Sequence, residues 1–185
     1  YGSGQPEEQP FPFTDVADGR WSYSYIRQLY EAGVIDGMTP TTFEPAGNVT
    51  RAQFVKMLAL LQSADVSAYA SGPFTDVPGD AWYARYVNWA AANGIVNGTS
   101  ATTFDPSGQI TREQLAVMLW RASGSPGSTQ SLAAFPDAGT CSDWARTALA
   151  WAVERGILNG MDGRLAPGGT ATRAQAAAML TRYLQ

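Results

Sequence analysis

One segment of this chain is written three times. "NVTRAQFVKML" at 48–58 returns as "QITREQLAVML" at 109–119 and as "TATRAQAAAML" at 170–180. A period this long marks a repeat fold, in which one supersecondary unit cannot bury its apolar face without its neighbours. Other anchors keep the same step of 61 residues: Asp15, Asp76 and Asp137, then Pro45, Pro106 and Pro167, then Arg51, Arg112 and Arg173. "FPFTDV" (11–16) returns as "GPFTDV" (72–77) and "AAFPDA" (133–138). "AGVIDG" (32–37) returns as "NGIVNG" (93–98) and "RGILNG" (155–160). Repeat three has one extra residue before its Gly-Ile and one fewer after it, an indel that loops absorb.

Each unit reads helix, loop, helix, so the expected fold class is all-α. In repeat two, Tyr83, Tyr86, Val87 and Ala90 recur at helical spacing, with Asp80 placed to cap the first helix. Gly33, Gly94 and Gly156 are placed to end that helix in a left-handed turn. A loop rich in Gly, Thr and Pro follows, with one apolar anchor: Phe43, Phe104 or Leu165. The second helix starts after Thr50, Thr111 or Thr172, and Gln53, Gln114 or Gln175 three residues on completes a capping box. Met57, Met118 and Met179 are equivalent, as are Leu58, Leu119 and Leu180; they pack within their own units or meet around a shared axis. The expected units are 11–62, 72–123 and 133–185, joined by linkers at 63–71 and 124–132, with 1–10 as a disordered lead.

Charge and composition exclude several functions. The net charge is −4 with no basic stripe, so nucleic acid is not an expected partner. Histidine is absent, which removes the commonest general base and metal ligand. Cys141 is the single cysteine, so neither an internal disulfide nor a thiolate cluster can form. No apolar run reaches the ~18 residues of a membrane span, so direct membrane insertion is not expected. Asp15, Asp76 and Asp137 lack the close spacing of oxygen ligands that a calcium loop needs, and no metal or cofactor is expected.

The ordered set F-x-D-V, aromatic helix, G-[IV]-[VL]-x-G, F-x-P and [VI]-T-R-[AE]-[QE] resembles the S-layer homology family over about residues 11–185. The resemblance implies three units closed into a pseudo-threefold trimeric helical assembly within one chain. It implies an extracellular address at a bacterial cell wall or S-layer surface. The chain would be a fragment, monomeric as it stands, of a larger surface protein. The implied partner is a secondary cell-wall polysaccharide, often one bearing ketal-linked pyruvate, bound in grooves between repeats. Some residues depart from the family pattern. Gln stands where the family often has Glu in T-R-A-E, and repeat three has "FPDA", no loop Phe, and Ala171 for the usual Ile or Val. The third repeat's site is therefore expected to be the most decayed.

The arginines pose a physical conflict. A cation in the first turn of a helix opposes the macrodipole at a cost of roughly 0.3–1 kcal/mol. An anion bound there would resolve it, meeting a guanidinium fork and free helix N–H groups. Given the resemblance, a pyruvate carboxylate is such an anion, so Arg51, Arg112 and Arg173 are the first candidate site residues. The alternative is that each Arg pairs with Asp15, Asp76 or Asp137 and ties the helix to the turn; both can hold together, with the Asp orienting the Arg, so these three Asp residues are candidate site residues as well.

Sugar sites add an aromatic face, so Trp21, Trp82 and Trp144 are candidates, balanced between core and site. Trp89 and Trp151, mid-helix, read as core. Gly37, Gly98 and Gly160 are expected to supply positive-φ bends, and Met38, Thr99 and Met161 after them line a groove or fill loops. A noncatalytic anchor is the leading reading. A protein-interaction or self-assembly module is the alternative, and a wall-glycan hydrolase needs paired carboxylates that three copied sites do not suit.

Overall fold

The computed structural model describes residues 10–185; residues 1–9, most of the expected disordered lead, lie outside the described residues. The capping boxes set where the second helices begin. Thr50, Thr111 and Thr172 are extended, and each hydroxyl accepts from the N–H of the Gln three residues on. Each Gln Oε1 accepts the Thr N–H in return, at 2.9, 3.1 and 3.1 Å. These caps open α2 (Arg51–Leu61), α4 (Arg112–Ala122) and α6 (Arg173–Leu184).

The first helices are α1 (Tyr23–Glu31), α3 (Ala84–Ala92) and α5 (Arg146–Glu154). Their ends are Schellman turns, as the glycines predict. Gly33 N–H reaches Tyr30 O at 3.0 Å and Val34 N–H reaches Leu29 O at 2.9 Å, with Gly33 at φ +75°. Gly94 and Gly156 repeat the arrangement at φ +72° and +70°. Asp80 does not cap α3. The helix starts four residues later, behind Tyr83, with no side-chain cap. Overlapping backbone turns replace the cap: Ala81 N–H bonds Pro78 O and Ala84 N–H bonds Ala81 O. In repeat three this entry is a 3-10 turn, Asp143–Ala145, running straight into α5. It is held from repeat two, where the buried Glu113 carboxylate accepts from Ser142 N–H (2.9 Å) and Oγ (2.7 Å). The equivalent positions, Ala52 and Ala174, carry no such group.

A ring of backbone hydrogen bonds closes the three repeats on themselves. Val49 N–H donates to Ala171 O, Ala171 N–H to Ile110 O, and Ile110 N–H to Val49 O, at 3.2, 3.0 and 2.9 Å. All three residues are fully buried. Antiparallel bridges Asn48–Thr172, Thr50–Gln109 and Thr111–Thr170 surround the ring. Around it each second helix packs on the first helix of the next repeat: α2 on α3, α4 on α5, and α6 back on α1. Among the described residues there are six α-helices and no sheet, so the fold is all-α. The axis runs through the residue before each capping Thr. Met57, Met118 and Met179 are buried in the common core and also contribute to the lining of the surface grooves described below.

Phe43, Phe104 and Leu165 are fully buried, and Trp89 and Trp151 lie in the core as their mid-helix positions predict. Burying an aromatic or Leu side chain of this kind contributes about 1.5–3 kcal/mol each.

Candidate functional site

The guanidinium groups are buried and point across repeat boundaries. Arg51 Nε donates to Phe104 O at 2.9 Å, Arg112 Nε to Leu165 O at 3.0 Å, and Arg173 Nε to Phe43 O at 2.7 Å. Arg51 and Arg173 also lie over the rings of Phe104 and Phe43, 4.7 and 4.3 Å from the centroids. Each Arg thus grips the loop anchor of the following repeat in cyclic order. Burial lowers the pKa of all three, and nearby carboxylates oppose this: Asp105 and Asp76 for Arg51, Asp137 for Arg112, Glu44 and Asp15 for Arg173.

The other end of the same peptide is held by the aspartates. Asp76 accepts the N–H groups of Phe104 and Asp105, both at 2.8 Å. Asp15 does the same for Phe43 and Glu44, and Asp137 for Leu165 and Ala166. Burial pushes these carboxyls up, but the paired N–H donors outweigh it and hold each below its ordinary value. No Asp–Arg ion pair forms between them among the described residues. The two ends of one buried peptide are clamped instead, by an Asp of its own repeat and an Arg of the repeat before.

The helix N-termini are not open anion sites. Arg51 N–H is bonded to Gly108 O and Ala52 N–H to Pro106 O. Arg112 and Glu113 bond Gly169 O and Pro167 O, and Arg173 and Ala174 bond Gly47 O and Pro45 O. The cap hydroxyl takes the next donor. The neighbouring repeat supplies the acceptors that a free terminus would have offered to an anion. The expectation of free N–H donors beside each Arg is corrected accordingly. Arg51, Arg112 and Arg173 each line a groove, where Arg173 Nη2 already donates to Asp36 O at 2.8 Å.

Three grooves follow the pseudo-threefold. The first, about 450 Å³, has Arg51 from repeat one, the loop 96–99 and the α4 face Gln114, Val117, Met118 and Arg121 from repeat two, and Trp144 from repeat three. The second, about 200 Å³, has the loop 34–38 and the α2 face Gln53, Lys56, Met57 and Leu60, with Trp82 and Arg173. The third, about 240 Å³, has the loop 157–161 and the α6 face Gln175, Ala178, Met179 and Arg182, with Trp21 and Arg112. Every groove therefore draws on all three repeats.

The structure brings most candidate residues together in these grooves. Trp21, Trp82 and Trp144 each form one wall and stay 55, 56 and 54 % exposed, so they are not core. Met38, Thr99 and Met161 line the grooves, as do Gly37, Gly98 and Gly160. Gly98 and Gly160 have the expected positive φ, +84° and +85°. Gly37 does not; it is required by space, because a Cβ there would run into the Phe13 ring and the Thr42 carbonyl. Asp15, Asp76 and Asp137 do not line the grooves.

Several lining residues were not among the candidates. Gln114, Val117, Met118 and Arg121 fall at i, i+3, i+4 and i+7, one helical face, and the same offsets recur on α2 and α6. That periodicity, counted from the capping Gln, is the signal that finds Lys56, Arg121 and Arg182. Asn97 and Asn159 also line their grooves, with Asp36 in the equivalent place.

The helices close into a threefold module with three surface grooves at corresponding positions. Residues 12–55, 73–116 and 134–177 each match the S-layer homology domain, and the chain belongs to that family as three tandem repeats. It is a cell-surface anchoring module, associated with the cell wall. The chain is 35 % identical to the exoglucanase XynX of Acetivibrio thermocellus across 94 % of its own length, which is 16 % of that enzyme. It is 33 % identical to the surface-layer 125 kDa protein of Lysinibacillus sphaericus over 86 % of its length, and 29 % identical to the S-layer protein sap of Bacillus anthracis over 92 %. It spans only 14 % and 21 % of those two proteins. These relatives include an exoglucanase and S-layer proteins, and the chain matches only a small part of each.

Proposed function

We propose that the grooves bind an acidic secondary cell-wall polysaccharide, with a pyruvate ketal carboxylate against the guanidinium edge and the pyranose against the exposed Trp. The observation that carries this reading is the groove chemistry. Each groove joins a buried, oriented Arg, a half-exposed Trp and a capping Gln, on a chain whose net charge is −4. Cations gathered in grooves on an acidic protein favour a local anion. A buried guanidinium held at Nε presents its remaining donors in a fixed plane, which suits a carboxylate. The Trp adds a flat apolar face at low entropic cost.

Asp15, Asp76 and Asp137 act in this reading by holding the loops, not by touching sugar. Asp36 is the single carboxylate among the lining residues of the three grooves, so none presents the facing pair that glycoside hydrolysis needs. The displayed activity then belongs to the rest of the parent protein. Three grooves on one polymer gain avidity by effective concentration.

Co-sedimentation with purified walls tests the proposal. The triple variant of Trp21, Trp82 and Trp144 to Ala removes exposed rings and should keep the native circular dichroism. It is expected to stay in the supernatant, while the native chain pellets with walls and is released when wall polysaccharide is stripped. Undiminished pelleting of the folded triple variant would refute the groove reading and favour a protein-interaction surface elsewhere.

A further inference from the structure

The three grooves differ in a way the repeat pattern conceals. In the Trp144 groove, Arg121 joins Arg51, and no carboxylate lines the space. Arg121 has no side-chain hydrogen bond or ion pair among the described residues, and burial lowers its pKa. In the Trp21 groove, Arg182 joins Arg112, again with no carboxylate. Those two cations repel: Arg182 is the second cause, after burial, of the lowered Arg112 pKa. Both grooves therefore hold two guanidinium groups with no lining counter-charge, an arrangement that a bound anion relieves.

The Trp82 groove is built otherwise. Leu60 stands where Arg121 and Arg182 stand in the others. Asp36 replaces Asn97 and Asn159, bringing a carboxylate into the groove. The Asp36 backbone carbonyl takes a hydrogen bond from Arg173 Nη2 at 2.8 Å, which uses part of the fork that Arg51 and Arg112 leave open. Lys56 Nζ sits 5.5 Å from the Trp82 ring centroid, placing a half-buried cation over the aromatic surface.

We infer that the chain has two working acidic-sugar grooves, at Trp144 and Trp21, and that in the Trp82 groove Asp36 and Leu60 weaken the anion site while Lys56 covers the Trp82 face on which a pyranose would stack. This rests on the groove reading proposed above. One spent guanidinium donor and one added carboxylate, offset in part by the Lys56 charge, make the Trp82 groove roughly tenfold weaker. This also relocates the weak site. Ala171 and Leu165 mark repeat three as the divergent unit, yet the groove on its α6 keeps both cations and its Trp.

The test is titration of the whole chain with the methyl glycoside of a hexose carrying a pyruvate ketal, and with the same sugar lacking it. Stoichiometry is read by calorimetry, and the indole N–H signals of Trp21, Trp82 and Trp144 by NMR. The expected result is two sites per chain, with Trp21 and Trp144 shifting and Trp82 still. The variant Asp36→Asn, Lys56→Val, Leu60→Arg should gain a third site and a Trp82 shift. Three equal sites in the native chain, or a Trp82 shift matching the others, overturns the inequality and leaves the groove reading standing. No indole shift with either sugar overturns both.

Discussion

Replacing Arg51 with Met probes the clamp that joins repeats one and two. Met keeps much of the apolar stem but loses the Nε bond to Phe104 O (2.9 Å) and the stacking on the Phe104 ring (4.7 Å). A hydrogen bond to a charged group contributes about 1.5–3 kcal/mol, and a partly desolvated cation–π contact about 0.5–2 kcal/mol. Two gains offset this: the buried cation no longer needs desolvating, and about 0.3–1 kcal/mol of unfavourable dipole interaction disappears. The net expected loss is about 2 kcal/mol, read by urea unfolding with an unchanged m-value. Asp76→Asn weakens the grip on the N–H of the same residue, Phe104. The two changes should therefore couple by roughly 1 kcal/mol in a double-mutant cycle. Arg51→Met with Asp137→Asn, which share no peptide, should add within about 0.5 kcal/mol. A loss under about 0.5 kcal/mol for Arg51→Met, or equal coupling to both aspartates, would refute the clamp.

Further outcomes are expected. Asp15, Asp76 and Asp137 have folded pKa values below their ordinary one, so their stabilisation is complete above about pH 4 and is lost as pH falls through the folded values. Thermal unfolding at decreasing pH should show that decline, and the triple Asp→Asn variant should flatten it. Thr111→Ala removes one capping hydroxyl and should cost about 1 kcal/mol in chemical denaturation, with the groove loops intact. Gly98→Ala forces a side chain onto a +84° φ and within 2.6 Å of the Phe74 ring. It should cost about 2 kcal/mol or more by the same assay and weaken ligand binding in the Trp144 groove first.

The local features of this fold were legible in the sequence because their causes lie within a few residues. Thr and Gln three apart make a cap wherever they occur, and a Gly after an amphipathic run makes the Schellman turn. Asp80 misled because backbone turns satisfy the α3 entry with no side chain. Gly37 misled because crowding and positive φ both demand glycine. The larger gap concerns partners. A period of 61 residues states that Arg51, Arg112 and Arg173 are equivalent, but not whose loop each one holds. Cyclic exchange between repeats consumed the helix N–H groups that the anion argument had left free. It also set each Trp against the second helix of the preceding repeat in cyclic order, Trp82 on α2, Trp144 on α4 and Trp21 on α6, where no local pattern points. The groove cations Lys56, Arg121 and Arg182 sit at two different offsets from the capping Gln, so strict repeat comparison passes over them.

Calorimetric titration of the native chain with a pyruvylated wall-polymer fragment, and with the same fragment after removal of its pyruvate, tests the central claim most directly. Binding is expected to need the ketal and to weaken as salt rises, since the contact is between a carboxylate and guanidinium groups. Equal affinity for both fragments, independent of salt, would contradict it and remove the arginine edges from recognition.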